Sequence, residues 1–321
     1  MSLLKKRAFV ILGSLLITAV ALYCVELAIP KHEYFIERVG TLYKVEHSET
    51  VTETAISEIV RLESSTGLKV DVRVLRPVIN TNEPLPLVLL LGGHGTGKDA
   101  VDLVGEPQDI AYAAIDYPYT GSQSLDGLFE SLGAAPKIQK AFVDTPPALS
   151  LVLSWALRQA WVDSSRVELV GVSLGVPFAV VAGATDARFT RVWLLHGGID
   201  NASWVAHAGR KNIKNETLRN IAARTALFFV YGNSFDTERW MRAIAPRPLI
   251  IVAACNDDYV PPEALEPLAK VSSDDAIEVI WTHGLHIGPR RTRELQQLLD
   301  IVTGRIRGNP APESSECARL D

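Results

Sequence analysis

The segment that most constrains the fold is 166–182, where an apolar β-rich run leads directly into a helical one. Val167–Val170 predicts a strand and Pro177–Ala182 predicts a helix, with Gly171-Val172-Ser173-Leu174-Gly175 between them. A turn this abrupt needs small residues two positions before and two after the corner residue, whose strained backbone lifts its side chain out of the sheet. We therefore predict a nucleophile elbow with Ser173 near the positive end of the helix. A glycine-rich turn with an ordinary serine is the alternative.

Apolar runs elsewhere in the chain predict the sheet that this strand joins. Leu85–Leu91 and Pro248–Ala254 are apolar without alternation, which is typical of strands covered on both faces. Ser57–Glu63 and Leu68–Leu75 flank a turn, and this antiparallel pair is expected at the edge of the sheet. Strands that alternate with helices predict an α/β fold, in which a mostly parallel sheet is flanked by helices. The other predicted strands are 110–117, 192–195 and 277–281, and the other predicted helices are 147–161 and 291–306.

Composition and charge limit the classes of protein to consider. Of the 321 residues, 47% are hydrophobic and 21% are charged, a balance typical of a globular protein. The net charge of −5 is spread along the chain, which does not fit the basic face of a nucleic-acid-binding protein. Three cysteines are too few for a disulfide framework. A bridge between Cys255 and Cys317 is possible, but the sequence alone does not support it.

The two ends of the chain differ from the domain between them. Residues 55–310 are expected to form the domain, 30–54 a linker and 311–321 a disordered polar tail. Residues 1–29 form a hydrophobic segment, in which three basic residues precede the uncharged run Ala8–Val25.

This N-terminal segment has two interpretations. A signal peptide fits the basic start, the apolar run and cleavage after Ala21. A membrane anchor fits the length of the run, which reaches the lower limit of a membrane span, and the apolar residues that continue to Ile29 favour it. Either one exports the rest of the chain, because the basic flank stays in the cytoplasm. The expected location is outside the cytoplasm, membrane-anchored if the segment is kept and secreted or periplasmic if it is cleaved.

The chemistry of Ser173 requires two partner side chains. A serine hydroxyl is a poor nucleophile at neutral pH, so it needs a base and a carboxylate that orients the base. After an elbow of this kind the acid and then the histidine follow at the ends of later strands. The acid is Asp257 or Asp258, although either could instead cap the next helix. The base is His283 or His286, and we favour His286 because the glycines on both sides let a loop carry its ring over the serine.

The reaction also needs donors for the negative oxygen that forms during attack. Two backbone N–H groups supply them, and each is typically worth ~3 kcal/mol to the transition state. One is expected from Leu174, directly after the nucleophile, and the other from His94 in the glycine-rich loop after Leu91.

The same loop nearly matches a phosphate-binding loop. Gly92–Lys98 fits the pattern Gly-x4-Gly-Lys, but Asp99 stands where a hydroxyl should ligate Mg²⁺. Its charge would oppose the phosphates, and an exported domain would lack ATP, so a nucleotide hydrolase is disfavoured.

From Leu85 to Ile306 the chain resembles the α/β-hydrolase fold family, near its dienelactone-hydrolase-like and esterase branches. The motifs that carry the resemblance are Gly171-Val172-Ser173-Leu174-Gly175, Asp257-Asp258-Tyr259-Val260-Pro261 and Gly284-Leu285-His286. The resemblance implies that Asp257 is the acid, because such families commonly carry Asp-x-x-Val-Pro. The chain departs from the family pattern at Gly92-Gly93, where related enzymes often have His-Gly.

The resemblance also implies a small helical cap, inserted at about 200–246. Aromatic residues in this insertion, among them Trp204, Tyr231 and Trp240, could line an acyl pocket or form the small core of the cap itself. The sequence leaves both interpretations open.

The resulting prediction is a serine hydrolase that cleaves a carboxylic ester or related acyl bond through an acyl-enzyme. Its catalytic residues would be Ser173, His286 and Asp257. We expect a small-molecule acyl substrate, no nucleic-acid partner, membrane contact only through an uncleaved N-terminal segment, and neither a cofactor nor a metal. Metal ligation by His283 and His286 would need further ligands, and the sequence shows no cluster of suitable spacing. The alternatives are a non-catalytic binding protein of the same fold, or a peptidase or thioesterase.

Overall fold

One sheet organises the domain. The computed structural model describes residues 3–78, 83–93, 95–121, 128–271, 275–310 and 317, with the backbone alone at 3–11, 128–133 and 271. Within these residues nine strands form a sheet in the order β1-β2-β3-β5-β4-β6-β7-β8-β9. The strands are β1 (Leu42–Val51), β2 (Ala55–Ser64), β3 (Lys69–Pro77), β4 (Leu85–Leu91), β5 (Ala111–Ile115), β6 (Val162–Val172), β7 (Arg191–Leu195), β8 (Leu249–Ala254) and β9 (Ile277–Thr282).

The direction of the strands confirms the predicted fold class. Strands β4 to β9 run parallel to one another, whereas β1, β2 and β3 pair antiparallel at one edge of the sheet, and β3 joins β5 in an antiparallel pair. The carboxyl ends of β6, β8 and β9 therefore meet at the same edge of the sheet, where loops carrying functional groups can converge.

Helices cover both faces of this sheet. On one face α3, α4 and α7 enclose the larger apolar core. On the other face, α9 and the 3-10 helix Gly97–Val104 enclose a smaller one. The helices are α1 (Leu3–Ala28), α2 (His32–Glu37), α3 (Leu128–Ala156), α4 (Val176–Thr185), α5 (Asn201–Ala208), α6 (Glu216–Phe229), α7 (Thr237–Ile244), α8 (Leu268–Val271) and α9 (Thr292–Ile306).

Two segments differ from the sequence-based expectation. The segment 30–54, expected to be a linker, contains α2 and all of β1. Strand β1 is exposed on both faces along almost its whole length, so it carries no apolar alternation that could reveal it. The helix predicted at 147–161 starts much earlier, because α3 begins at Leu128 and contains Pro136, Pro146 and Pro147. Proline is unfavourable inside a helix, but α3 continues through all three and packs against the apolar core. Residues 122–127 lie outside the described residues.

The N-terminal helix meets the domain at its carboxyl end. Leu27 is buried, and the Tyr231 hydroxyl donates to the Glu26 carboxylate at 2.7 Å. Among the residues that the structure describes, no helix is long and apolar enough to cross a membrane, and the anchor expected from the sequence gains no support there.

Near the other end of the chain, Cys255 forms a disulfide with Cys317, and their Cα atoms lie 5.4 Å apart. The rest of the tail 311–321, expected to be disordered, lies outside the described residues.

Candidate active site

The turn after β6 has the geometry of an elbow. Ser173 adopts φ 52°, a left-handed conformation that is strained for a residue with a side chain. A Cβ on Gly171 would lie 2.5 Å from the Cβ of Ala179, and a Cβ on Gly175 would overlap the carbonyl oxygen of Leu91. Both positions therefore require glycine, because the strand, the turn and α4 pack directly against one another.

Three side chains meet at the carboxyl edge of the sheet in a continuous hydrogen-bonded line. The Oγ of Ser173 lies 2.8 Å from Nε2 of His286. On the other side of the ring, Nδ1 of His286 lies 2.8 and 3.0 Å from the two carboxylate oxygens of Asp257. The side chains of His286 and Asp257 are 7% and 3% exposed, so water hardly competes for this contact. The structure thus brings together the serine, histidine and acid that the sequence analysis selected.

The two neighbouring aspartates make different contacts. The Oδ1 atom of Asp257 accepts the backbone N–H groups of Tyr259 and Val260 at 2.8 and 2.7 Å, which fixes its carboxylate toward His286. Asp258 instead forms two hydrogen bonds of 2.8 Å with the Arg291 guanidinium. This pairing holds the pKa of Asp258 well below its usual range. Asp257 therefore orients the histidine, whereas Asp258 supports the loop that carries it.

Asp258 and Arg291 fix the loop that carries His286. Asp258 accepts the backbone N–H of His286 at 3.2 Å, while Arg291 donates to the carbonyl oxygen of the same residue at 2.7 Å. His283, the alternative base, is exposed and makes neither contact of the hydrogen-bonded line. These two contacts hold the backbone of His286 at its N–H and at its carbonyl oxygen, and so fix the position of its imidazole.

His196 is a member of this cluster whose role the sequence did not reveal. It follows β7, is 3% exposed and adopts φ 50°. Its Nδ1 accepts the backbone N–H of Ile287 at 3.0 Å, so it must be neutral at that atom. Burial lowers the pKa of His196 to about 4, which maintains this neutral form. The available signal was its position directly after a strand that neighbours β6.

The cluster also has the composition of a metal site. Donor atoms of His196, Asp257 and His286 lie within 4.8 Å of one another. Each of these residues already takes part in a hydrogen bond: His196 with Ile287, and Asp257 and His286 with each other. The geometry therefore accounts for all three residues through hydrogen bonding within the protein.

The loop after β4 faces the serine from the other side. Gly92 and Gly93 line a cavity together with Ser173. The carbonyl oxygen of Gly92 accepts the Tyr117 hydroxyl at 2.7 Å, and that of Gly93 accepts the Thr96 hydroxyl at 2.9 Å. These hydrogen bonds fix the loop. Leu174 lies in the 3-10 turn that directly precedes α4, as an oxyanion donor should. His94, the second donor expected from the sequence, lies outside the described residues.

Lys98, which suggested a phosphate-binding loop, has a different partner. Its amine lies 2.5 Å from the Asp116 carboxylate, and this contact raises the pKa of Lys98. The pair links the loop after β4 to the end of β5.

The aromatic residues of the 200–246 insertion lie away from that cavity. Tyr231 bonds to Glu26, and Trp240 donates to the carbonyl oxygen of Ser234 at 2.8 Å while packing beside Phe35. Trp204 packs against the larger core. None of these aromatic residues is among the described residues that line the cavity at Ser173. These aromatics pack against the larger core and against residues of the helices α1 and α2, so they neither line this cavity nor form a separate core of the insertion.

Comparison with known proteins relates this architecture to solved structures. No model of a known protein family matches the sequence, and no curated protein matches it. An acetyl xylan esterase from Paenibacillus sp. R4 superposes over 86% of this chain and 93% of its own, with a TM-score of 0.57 and 16% identity. The chain has the α/β-hydrolase fold.

Other solved structures agree with this α/β-hydrolase architecture. Acetyl xylan esterase 1 from Thermoanaerobacterium sp. JW/SL YS485 covers 84% of this chain and 93% of its own, with a TM-score of 0.56 and 14% identity. A cold-adapted esterase from an Arctic intertidal metagenomic library covers 82% and 99%, with a TM-score of 0.54 and 17% identity. At these identities the similarity establishes the fold, and the chemistry must be argued from the site itself.

Proposed function

We propose that this α/β-hydrolase is a serine hydrolase that cleaves carboxylic esters through an acyl-enzyme. The observation that carries the proposal is the buried line from the Ser173 hydroxyl through His286 to Asp257. This arrangement is what an activated serine needs: a base within hydrogen-bonding reach, and an acid that orients the base.

In the first half of the reaction, Oγ of Ser173 attacks the ester carbonyl carbon as Nε2 of His286 takes its proton. Asp257 stabilises the resulting imidazolium, and backbone N–H groups stabilise the oxyanion; Leu174 and His94 are the candidates. When the ester C–O bond breaks, the alcohol leaves with the proton from His286. In the second half, water adds to the acyl-enzyme with His286 again as base, which releases the acid and restores Ser173.

An ester is the acyl compound that we favour as substrate. Solved structures of the same architecture are described as acetyl xylan esterases and as a glucuronoyl esterase, so esters are the common chemistry of the neighbours. Thioesters and peptides would pass through the same tetrahedral species, which makes them the natural comparison substrates.

We also infer that the domain works outside the cytoplasm. The disulfide between Cys255 and Cys317 supports this location, because such bonds form and persist in oxidising compartments and are rare in the cytosol. The basic and apolar N-terminal segment is consistent with export.

The proposal is tested by kinetics on the full chain. With p-nitrophenyl butyrate, a thioester and a peptide as substrates, we expect the ester to be cleaved with the highest kcat/KM. Ser173→Ala and His286→Ala should each lower ester turnover by roughly 10⁴ to 10⁶, because the members of such a unit act together.

His283→Ala is the matched control, since His283 lies in the same loop but outside the hydrogen-bonded line. It should retain most of the ester turnover. Turnover that survives both Ser173→Ala and His286→Ala would contradict the proposal.

A further inference from the structure

A cavity of about 220 Å³ opens beside Ser173, on the face of the sheet that α9 and the 3-10 helix 97–104 cover. Its floor is formed by sheet residues such as Val88, Val170 and Val172, and Ser173 itself lies at its edge. Its opposite wall is α9 and the 3-10 helix 97–104. Any group bonded to the serine oxygen would therefore have direct access to this space.

The wall of the cavity is an apolar helical stripe. Leu295, Leu298, Leu299 and Val302 recur on one face of α9 at the spacing of a helix. Polar atoms make up little of the lining, and the Thr303 hydroxyl is already satisfied because it donates to the Leu299 carbonyl oxygen at 2.7 Å. Among the described residues that line the cavity, none carries a charged side chain. The space therefore favours a hydrocarbon group over a sugar or a charged group.

The position of His286 indicates which half of an ester would enter. The leaving alcohol must lie against Nε2 of His286, because it takes its proton from that atom. Ser173 lines the cavity, whereas His286 is not among the described residues that do. The cavity therefore lies on the acyl side of the bond that is cleaved.

The volume limits the length of the chain. A dry cavity of about 150 Å³ holds benzene, with its six carbons. By that scale, the 220 Å³ beside Ser173 accommodates roughly six to nine carbons.

This inference rests on the proposed ester hydrolysis: we infer that this cavity is the acyl pocket and that the enzyme prefers uncharged acyl chains of medium length. The acyl carbon is held at Ser173, and the chain runs between the sheet and α9. The alcohol stays outside, beside His286.

The test measures kcat/KM for p-nitrophenyl esters from acetate to dodecanoate, which vary the acyl chain alone. We expect kcat/KM to rise by up to about fourfold per methylene and to reach its maximum between hexanoate and nonanoate. In Val302→Phe the added ring occupies the cavity, so the ratio of octanoate to acetate turnover should fall at least tenfold. In Leu298→Ala the cavity is enlarged, so the maximum should move to longer chains.

Gln296→Ala on the exposed side of α9 is the control, and it should leave the octanoate-to-acetate ratio unchanged. In a second series, methyl to octyl acetates vary only the alcohol, and Val302→Phe should not change the preference among them. Titration of reactive serine in each variant measures the fraction that is folded and active.

Two results would overturn the inference in different ways. If the wild type cleaves acetate best and the octanoate-to-acetate ratio is the same in Val302→Phe and Leu298→Ala, the acyl pocket is wrong while the hydrolase stands. If the folded wild type cleaves no ester in either series, the proposed function is wrong, and the acyl pocket with it.

Discussion

The neutral form of His196 should make the stability of the domain depend on pH. The ring must stay unprotonated at Nδ1 to accept the Ile287 N–H. Burial lowers the pKa of His196 from 6.5 to about 4; the nearby Asp257 carboxylate opposes this shift, and His286 adds to it. In the unfolded chain the same ring titrates near 6.5.

The sign and size of the effect follow from these two pKa values. Above pH 6.5 both states are neutral, and the contribution of His196 is fully present. As the pH falls from 6.5 to 4 the unfolded state binds a proton that the folded state does not, so the free energy of unfolding decreases. For a pKa lowered from 6.5 to about 4, the total loss is about 3 kcal/mol.

The assay is denaturant unfolding of the wild type and of His196→Asn at pH values from 4 to 7.5. Asparagine keeps an acceptor near the position of Nδ1, tolerates the left-handed backbone at 196, and does not titrate. The stability of the wild type relative to the variant should decrease by about 3 kcal/mol as the pH falls from 7 to 4.

The matched control is His47→Asn on the exposed strand β1, where the ring is in contact with solvent. It should follow the wild type across the whole pH range. A constant difference between the wild type and His196→Asn at every pH would refute the argument that His196 is held neutral.

The remaining predictions concern stability. Cys317→Ser removes a disulfide that spans a sequence separation of 62, so the free energy of unfolding should fall by up to about 4 kcal/mol. Cys24→Ser, at the exposed free cysteine, should have no such effect in the same denaturation experiment, and equal effects would contradict this. Asp144 is buried, and its carboxylate accepts from Tyr34 at 2.6 Å and from Arg38 at 2.8 Å. Asp144→Ala should therefore cost about 3–5 kcal/mol. Glu238→Ala, in an exposed ion pair, should lower the free energy of unfolding by under about 1 kcal/mol. Similar losses for the two variants would contradict the prediction that the buried contacts of Asp144 stabilise the fold.

The elements around the elbow could be predicted because each leaves a local signal. The double-sided strands β4 and β8 are continuous apolar runs, and Gly171 and Gly175 stand where a Cβ would collide with neighbouring atoms. The partners of Ser173 followed from the chain order and from strand ends, since parallel strands finish at the same edge. These features depend on a few adjacent residues, which is why the sequence carries them.

The features that could not be predicted depend on contacts between distant parts of the chain. Strand β1 is held by pairing with β2, and its side chains show no buried face. The role of His196 depends on the backbone N–H of Ile287, which no side-chain pattern encodes. The cavity is bounded by residues from several separate elements, whereas the aromatics of the 200–246 insertion stand close together in the sequence and were therefore the more visible candidates for a pocket.

The most direct test of the central claim is to locate the covalent adduct that a fluorophosphonate forms with the full chain. If His286 and Asp257 activate the hydroxyl at the elbow, mass spectrometry of the digested protein should find a single adduct, on the peptide that contains Ser173. Labelling should be absent in Ser173→Ala and slowed by orders of magnitude in His286→Ala. An adduct on another residue, or a folded wild-type protein that does not react, would contradict the account.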